Sequence, residues 1–71
     1  MNKVSPKKLL NSKWTCQQPR RKEKHFIIVE VDYDELGQVT RCIMQAVINR
    51  HEYEIDWRSL KETGQWIAGW Q

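Results

Sequence analysis

The side chains that could make or break bonds come first, because there are few of them. Cys16 and His25 are the nearest thing to a nucleophile and its base in this 71-residue chain. A thiol works as a nucleophile when an imidazole lies within hydrogen-bond reach, and nothing in the spacing of these two imposes that. His51, Glu52 and Glu54 offer metal-binding atoms, but a metal needs its ligands on one side. In an extended segment Glu52 and Glu54 share a face while His51 points away, so solvated carboxylates are the simpler reading. Gly37, Gly64 and Gly69 are too scattered to cradle a phosphate. The expectation is a protein that is not an enzyme, with no catalytic residue, no cofactor, no metal and no small-molecule substrate.

A different kind of chemistry is written in "SKWTCQQPRRKEKHF", where cations interleave with rings. Phosphates attract cations, and unpaired bases stack on aromatic faces for about 1–3 kcal/mol each. Lys13 is a candidate ligand-binding residue of this segment, Arg20, Arg21, Lys22 and Lys24 are the candidate phosphate contacts, and Trp14 or Trp70 is the stacking ring. That reading is single-stranded nucleic-acid (RNA) binding through residues 13–26. No RRM, KH or cold-shock motif accompanies it, and a solvated basic loop over a buried Trp14 explains the same residues. The rival, which is preferred, is a protein-interaction module that offers a strand edge or a tryptophan patch to a partner.

Charge is unevenly distributed. Residues 1–25 carry eight Lys/Arg against the single acid Glu23, a net +7, and residues 26–71 carry four basic and eight acidic residues, a net −4. Attraction to a polyanion and internal pairing of basic loops with acidic strand faces both fit that split. A charged fraction of 30% and an apolar fraction of 39% belong to a globular chain rather than a disordered one. No apolar run is long enough to span a membrane, and "MNKVSPKKLLNSK" has no signal-peptide core. Cys16 and Cys42 fall into no zinc pattern. Two reduced thiols in a cytoplasmic protein are the simplest account, with a single disulfide between them left open.

The elements that must position these residues are mostly strands. Residues 1–12 form a basic N-terminal segment, partly ordered, and residues 13–71 a single small β domain. In "SPKKLLNS", Ser5 and Pro6 suit the start of one helical turn. "SKWTCQQ" reads as a short strand and "PRRKEK" as a basic loop begun by Pro19. "HFIIVEVDY" is the clearest strand, with Ile27, Val29, Val31 and Tyr33 on one face. "DELG" is a hairpin loop, and "QVTRCIMQAVINR" returns with Cys42, Met44, Ala46 and Ile48 on one face. After the tight connection "NRH", "EYEIDW" alternates Tyr53, Ile55 and Trp57 against acids, and Asp56 or Ser59 can cap a turn through "WRSLKET". The fold class is therefore mainly β: an antiparallel meander of three to four strands curled toward an SH3-like barrel, with short helical turns near both ends.

So short a meander cannot cover both of its faces. Leu9, Leu10 and Trp14 from one side and Trp66, Ile67 and Trp70 from the other are the candidates for a lid. One buried tryptophan removes on the order of 150–250 Å² from water, which at about 25 cal/mol per Å² rivals the whole stability of a small domain. Either the terminal indoles close the core, or one of them is displayed to a ligand.

The segments "KKLLNSKWT", "PRRKEKHF", "EYEIDWRSLK" and "WIAGW" together resemble a family of short tryptophan-rich bacterial proteins of unknown function. The likeness runs from Lys7 to Trp70. It implies a bacterial, cytoplasmic, stand-alone domain, and it brings no catalytic residues with it.

Overall fold

The computed structural model describes residues 2–71, so of the segment 1–12 residue 1 lies outside the described residues. Five antiparallel strands form one sheet: β1 (Lys13–Arg20), β2 (Glu23–Tyr33), β3 (Val39–Ala46), β4 (Glu52–Glu54) and β5 (Trp66–Ala68). Their order is β4-β3-β2-β1-β5. The meander β1 to β4 is as expected, and the fifth strand comes from "WIA", which lies beside β1 with Trp14 opposite Ala68 and Cys16 opposite Trp66. The sheet stays open. The two three-residue strands β4 and β5 are its edges and do not pair with each other, so the curl stops short of a closed SH3-like barrel.

The two helical turns are 3-10 turns, at Pro6–Lys8 and Trp57–Lys61. Pro6 opens the first, and the Asp56 carboxylate caps the second by accepting from the Arg58 N–H at 3.0 Å.

Two bulges shift the faces that strict alternation predicts. Ile28 pairs with Met44 but Glu30 pairs with Ile43, so Val29 is an extra residue in β2. Phe26 and Ile28 therefore face the core before the bulge and Val31 packs against it after, whereas alternation places Ile27, Val29 and Val31 together. The return strand ends at Ala46, which leaves Ile48 exposed in the following turn rather than beside Met44.

A third irregularity, between β1 and β2, corrects the basic loop. "PRRKEK" is not a loop: β1 runs through Pro19 to Arg20 and β2 starts at Glu23, leaving Arg21 and Lys22 as a two-residue turn. Between Thr15 and Arg20 the β1–β2 register slips, and Pro19 lies in that interval, where its missing N–H is tolerated.

The core joins Leu9, Trp14, Phe26, Ile28, Cys42, Met44, Ala46, Leu60 and Trp66. The lid thus consists of Leu9 and Leu60 laid over one face, with Trp14 and Trp66 beneath and beside them. Leu10 is exposed and Ile67 half-buried. Asn2 ties the lid down: its side-chain amide donates to Leu60 O at 2.9 Å and to Trp66 O at 2.7 Å. The second of these also occupies a carbonyl on the outer side of β5, an edge that would otherwise be open to another strand.

Candidate functional site

The terminal indoles divide between the two alternatives. Trp66 is 6% exposed and packs edge-on against Phe26, with ring centroids 5.4 Å apart. Trp70 is 44% exposed and lies on the sheet's other face. Its chain reverses at Gly69, whose φ of 84° is a conformation that glycine adopts without strain. The Trp70 indole N–H then donates to Phe26 O at 2.9 Å, while Lys13 Nζ sits 4.9 Å from the ring and the His25 ring 6.1 Å away. Thr15 Oγ1 donates to Gly69 O and accepts from the Gln71 N–H, which seals that strap.

On the core face a cleft of about 900 Å³ opens between β4 and β5. Its apolar floor is an aromatic row, Trp66, Phe26 and Tyr53, with Met44 and Ile55 alongside. Cys16, Gln18 and Gln65 line the β1–β5 side, and Arg20, Arg21 and Glu23 the hairpin side. The volume is within the range of ligand-binding clefts. The Trp66 Nε1–H is buried without a hydrogen-bond partner among the described residues.

Glu23 organises the hairpin end. It is 6% exposed, and its carboxylate accepts from Tyr53 Oη at 2.7 and 2.9 Å and from Asn49 Nδ2 at 2.8 Å, with His51 Nδ1 at 3.4 Å. The Tyr53 hydroxyl and then the Asn49 amide hold the Glu23 carboxyl below the usual carboxylate range, and the same bond to Glu23 pushes the Tyr53 phenol up. Asn49 Oδ1 also accepts from the His51 N–H, so the β3–β4 connection is folded around the clamp. Arg50, between these two partners, is thereby brought to the same end as Arg20, Arg21, Lys22 and Lys24. None of the eight cations of residues 2–25 forms an ion pair among the described residues. The acidic face is served instead by Arg41, which meets Glu30, Asp32 and Glu54. Internal pairing of basic loops with acidic strands is not how this chain is built.

The turn itself is strained. Arg21 and Lys22 both have positive φ, 54° and 63°. A two-residue hairpin needs that conformation at both positions and favours Asn-Gly there. Side chains with a Cβ enter the left-handed region at a cost of about 1–2 kcal/mol per residue.

The family model described as "Tryptophan-rich protein (DUF2389)" matches residues 12–71. The chain belongs to this family of tryptophan-rich proteins of unknown function. The DUF2389 match takes in all five strands, the cleft and the four tryptophans, and stops short of Leu9 and the first 3-10 turn. No curated protein and no solved structure matches the chain. In this DUF2389 domain the indoles do different jobs. Trp14 and Trp66 are core, Trp70 straps the far face, and Trp57 lies beneath Arg58 and Lys61 at 5.4 and 5.1 Å.

Of the residues singled out in the sequence, Arg20, Arg21, Lys22 and Lys24 are exposed at one end of the sheet and Lys13 and Trp70 meet on one face. Trp14 is corrected: at 4% exposed, with its N–H donating to Ser12 Oγ, its ring is not on the surface and offers nothing to stack upon. Cys16 and His25 lie on opposite faces, since Cys16 aligns with Trp66 while His25 aligns with its neighbour Thr15. Glu23, Asn49, Arg50 and Tyr53 escaped the sequence reading. A signal for Arg50 existed, because in a meander the first and third turns lie at the same end of the sheet. No helix is long and apolar enough to cross a membrane.

Proposed function

We propose that this DUF2389 domain is a non-catalytic, cytoplasmic protein-interaction module, and that the cleft between β4 and β5 receives a partner segment. One observation carries the reading: two guanidinium side chains that form no ion pair among the described residues, Arg20 and Arg21, border an apolar floor of Phe26, Met44 and Trp66. Interfaces combine apolar and aromatic centres with charged rims in this way. The test is site-specific photo-crosslinking in nuclease-treated lysate, with the photoreactive residue in place of Gln18 on the cleft or Leu36 in the far turn. A polypeptide adduct from position 18 and none from position 36 is expected. No adduct at 18, or equal adducts at both, would refute the reading.

Single-stranded RNA binding through residues 13–26 is the second reading, favoured by the unpaired cations of the hairpin. It has lost Trp14 as a stacking ring, and Trp70 stands on the face opposite the cleft. Salt titration with a single-stranded RNA checks it, since phosphate contacts give binding at roughly 50 mM salt that collapses as salt rises.

A further inference from the structure

Among the described residues four that are not glycine have positive φ: Asn11 at 68°, Arg21 at 54°, Lys22 at 63° and Arg50 at 62°. Asparagine enters that region readily, and arginine and lysine do not. All three unfavourable positions are cationic, and all three belong to the two turns that Glu23 holds together through Asn49 and His51. Glycine or asparagine would satisfy these backbones with less strain. The chain accepts strain three times to place a positive charge at one end of the sheet, and strain of this kind gathers where a site is held for binding. Glu23, the acid within this group, is already occupied by Tyr53 and Asn49. Among the described residues Arg20, Arg21, Lys22 and Arg50 form no ion pair, although Arg21 lies close enough to bias the charge of Glu23 and Tyr53.

We infer that this pole docks an acidic segment of a protein partner: carboxylates engage Arg20, Arg21, Lys22 and Arg50, and an apolar side chain beside them enters the cleft. The inference rests on the interaction-module reading and gives its partner a chemistry. Guanidinium groups meet carboxylates through paired hydrogen bonds. What adjoins these cations is a cleft whose floor rings Phe26 and Trp66 are nearly buried and whose exposed ring, Tyr53, is held by its hydroxyl to Glu23, while Trp70 carries Lys13 on the other face. That arrangement suits an acidic peptide with an apolar anchor better than a nucleic-acid strand.

The probes are a fluorescein-labelled peptide of Asp and Glu flanking one Leu, the same peptide with Lys for every acid, and a single-stranded RNA of similar length. They are titrated against the wild type, against Arg21→Asn/Lys22→Gly/Arg50→Gly, which relieves the strained backbones, and against Arg20→Gln/Arg50→Gln, which leaves the hairpin turn residues untouched. The acidic peptide should bind the wild type with marked salt dependence and both variants about tenfold more weakly, the lysine peptide should not bind, and the first variant should melt at or above the wild-type temperature. Absence of acidic-peptide binding, variants that bind the acidic peptide as tightly as the wild type does, or tighter binding of RNA would overturn the inference. The photo-crosslink at position 18 separates the two levels. If it persists in both variants, the interaction module stands and the acidic partner falls; if the wild type gives none, both fall.

Discussion

Leu60 and Arg21 belong to the same small sheet and answer to different demands. Leu60 is fully buried, delivered by a 3-10 turn that Asp56 caps and Asn2 fastens, and every contact around it lowers the free energy of folding. Arg21 is exposed, forms no ion pair among the described residues and is held in a backbone conformation that opposes folding. The lid end shows what a chain of this size does to stay folded, and the hairpin end shows what it tolerates. Where stability and residue choice diverge so sharply, the tolerated residues are the ones to examine for function.

The comparison breaks first if the lid is not essential. Leu60→Ala leaves a cavity beneath the second 3-10 turn and should cost about 2–5 kcal/mol. A domain this small has little more than that in total, so the denaturant melt should lose its cooperative transition. Survival of that transition with an unchanged midpoint would remove the lid from the account.

The two terminal indoles sharpen the same contrast. Trp66→Ala should cost about 3–5 kcal/mol, as expected for an aromatic removed from a core. Trp70→Ala forfeits one hydrogen bond to Phe26 O and the packing of Lys13, about 1–2 kcal/mol together. Equal losses in urea melts of the two variants would mean that the far-face strap is as much core as the near face.

How much of this was legible beforehand differs between the two ends for a physical reason. Trp14, Phe26, Met44 and Trp66 are large and apolar, so their burial follows from the need to dry one face of a short meander, and the hairpin partners of β2 and β3 follow from alternation and "DELG". The bulge at Val29 was not legible, since two runs of β-branched residues do not reveal which one carries the extra residue. Nor was β5: "WIA" is too short to announce a strand and becomes one by lying along β1. The hairpin end was misread as a loop because Arg21 and Lys22 lack the glycine or asparagine that normally marks such a turn. Glu23 was legible only as a stray acid in a basic run, because its partners Asn49 and Tyr53 are brought to it by the third turn and the fourth strand.

The clamp at Glu23 predicts a pH dependence at the hairpin end alone. Its folded pKa lies below the ordinary glutamate value of about 4.3. The clamp therefore contributes stability that is fully present above that value and is lost as pH falls through the lower folded one. Tyr53 shifts the other way, so its contribution is present below the ordinary tyrosine value of about 10 and is lost as pH rises toward the higher folded one. Urea midpoints followed downward from roughly pH 6 should fall less steeply for Glu23→Gln than for the wild type. Parallel slopes would show that the carboxylate is not the group that joins the two turns.

The smallest effect concerns the thiols, one in each environment. Cys42 is buried among the core side chains, and desolvation pushes its pKa up to about 11, so it stays a protonated, unreactive thiol near neutral pH. Cys16 is half-buried and lines the cleft. Iodoacetamide on the folded protein should therefore modify Cys16 and spare Cys42 until denaturant is added, as peptide mass mapping would show. The adduct occupies cleft volume without entering the core, so the urea midpoint should move by no more than about 0.5 kcal/mol in stability. The same adduct should weaken binding of the acidic peptide, because its apolar anchor needs the space the adduct fills. Modification that unfolded the protein would place Cys16 with Leu60 in the closed half, and modification without effect on the peptide would leave Arg20, Arg21, Lys22 and Arg50 to act without the cleft.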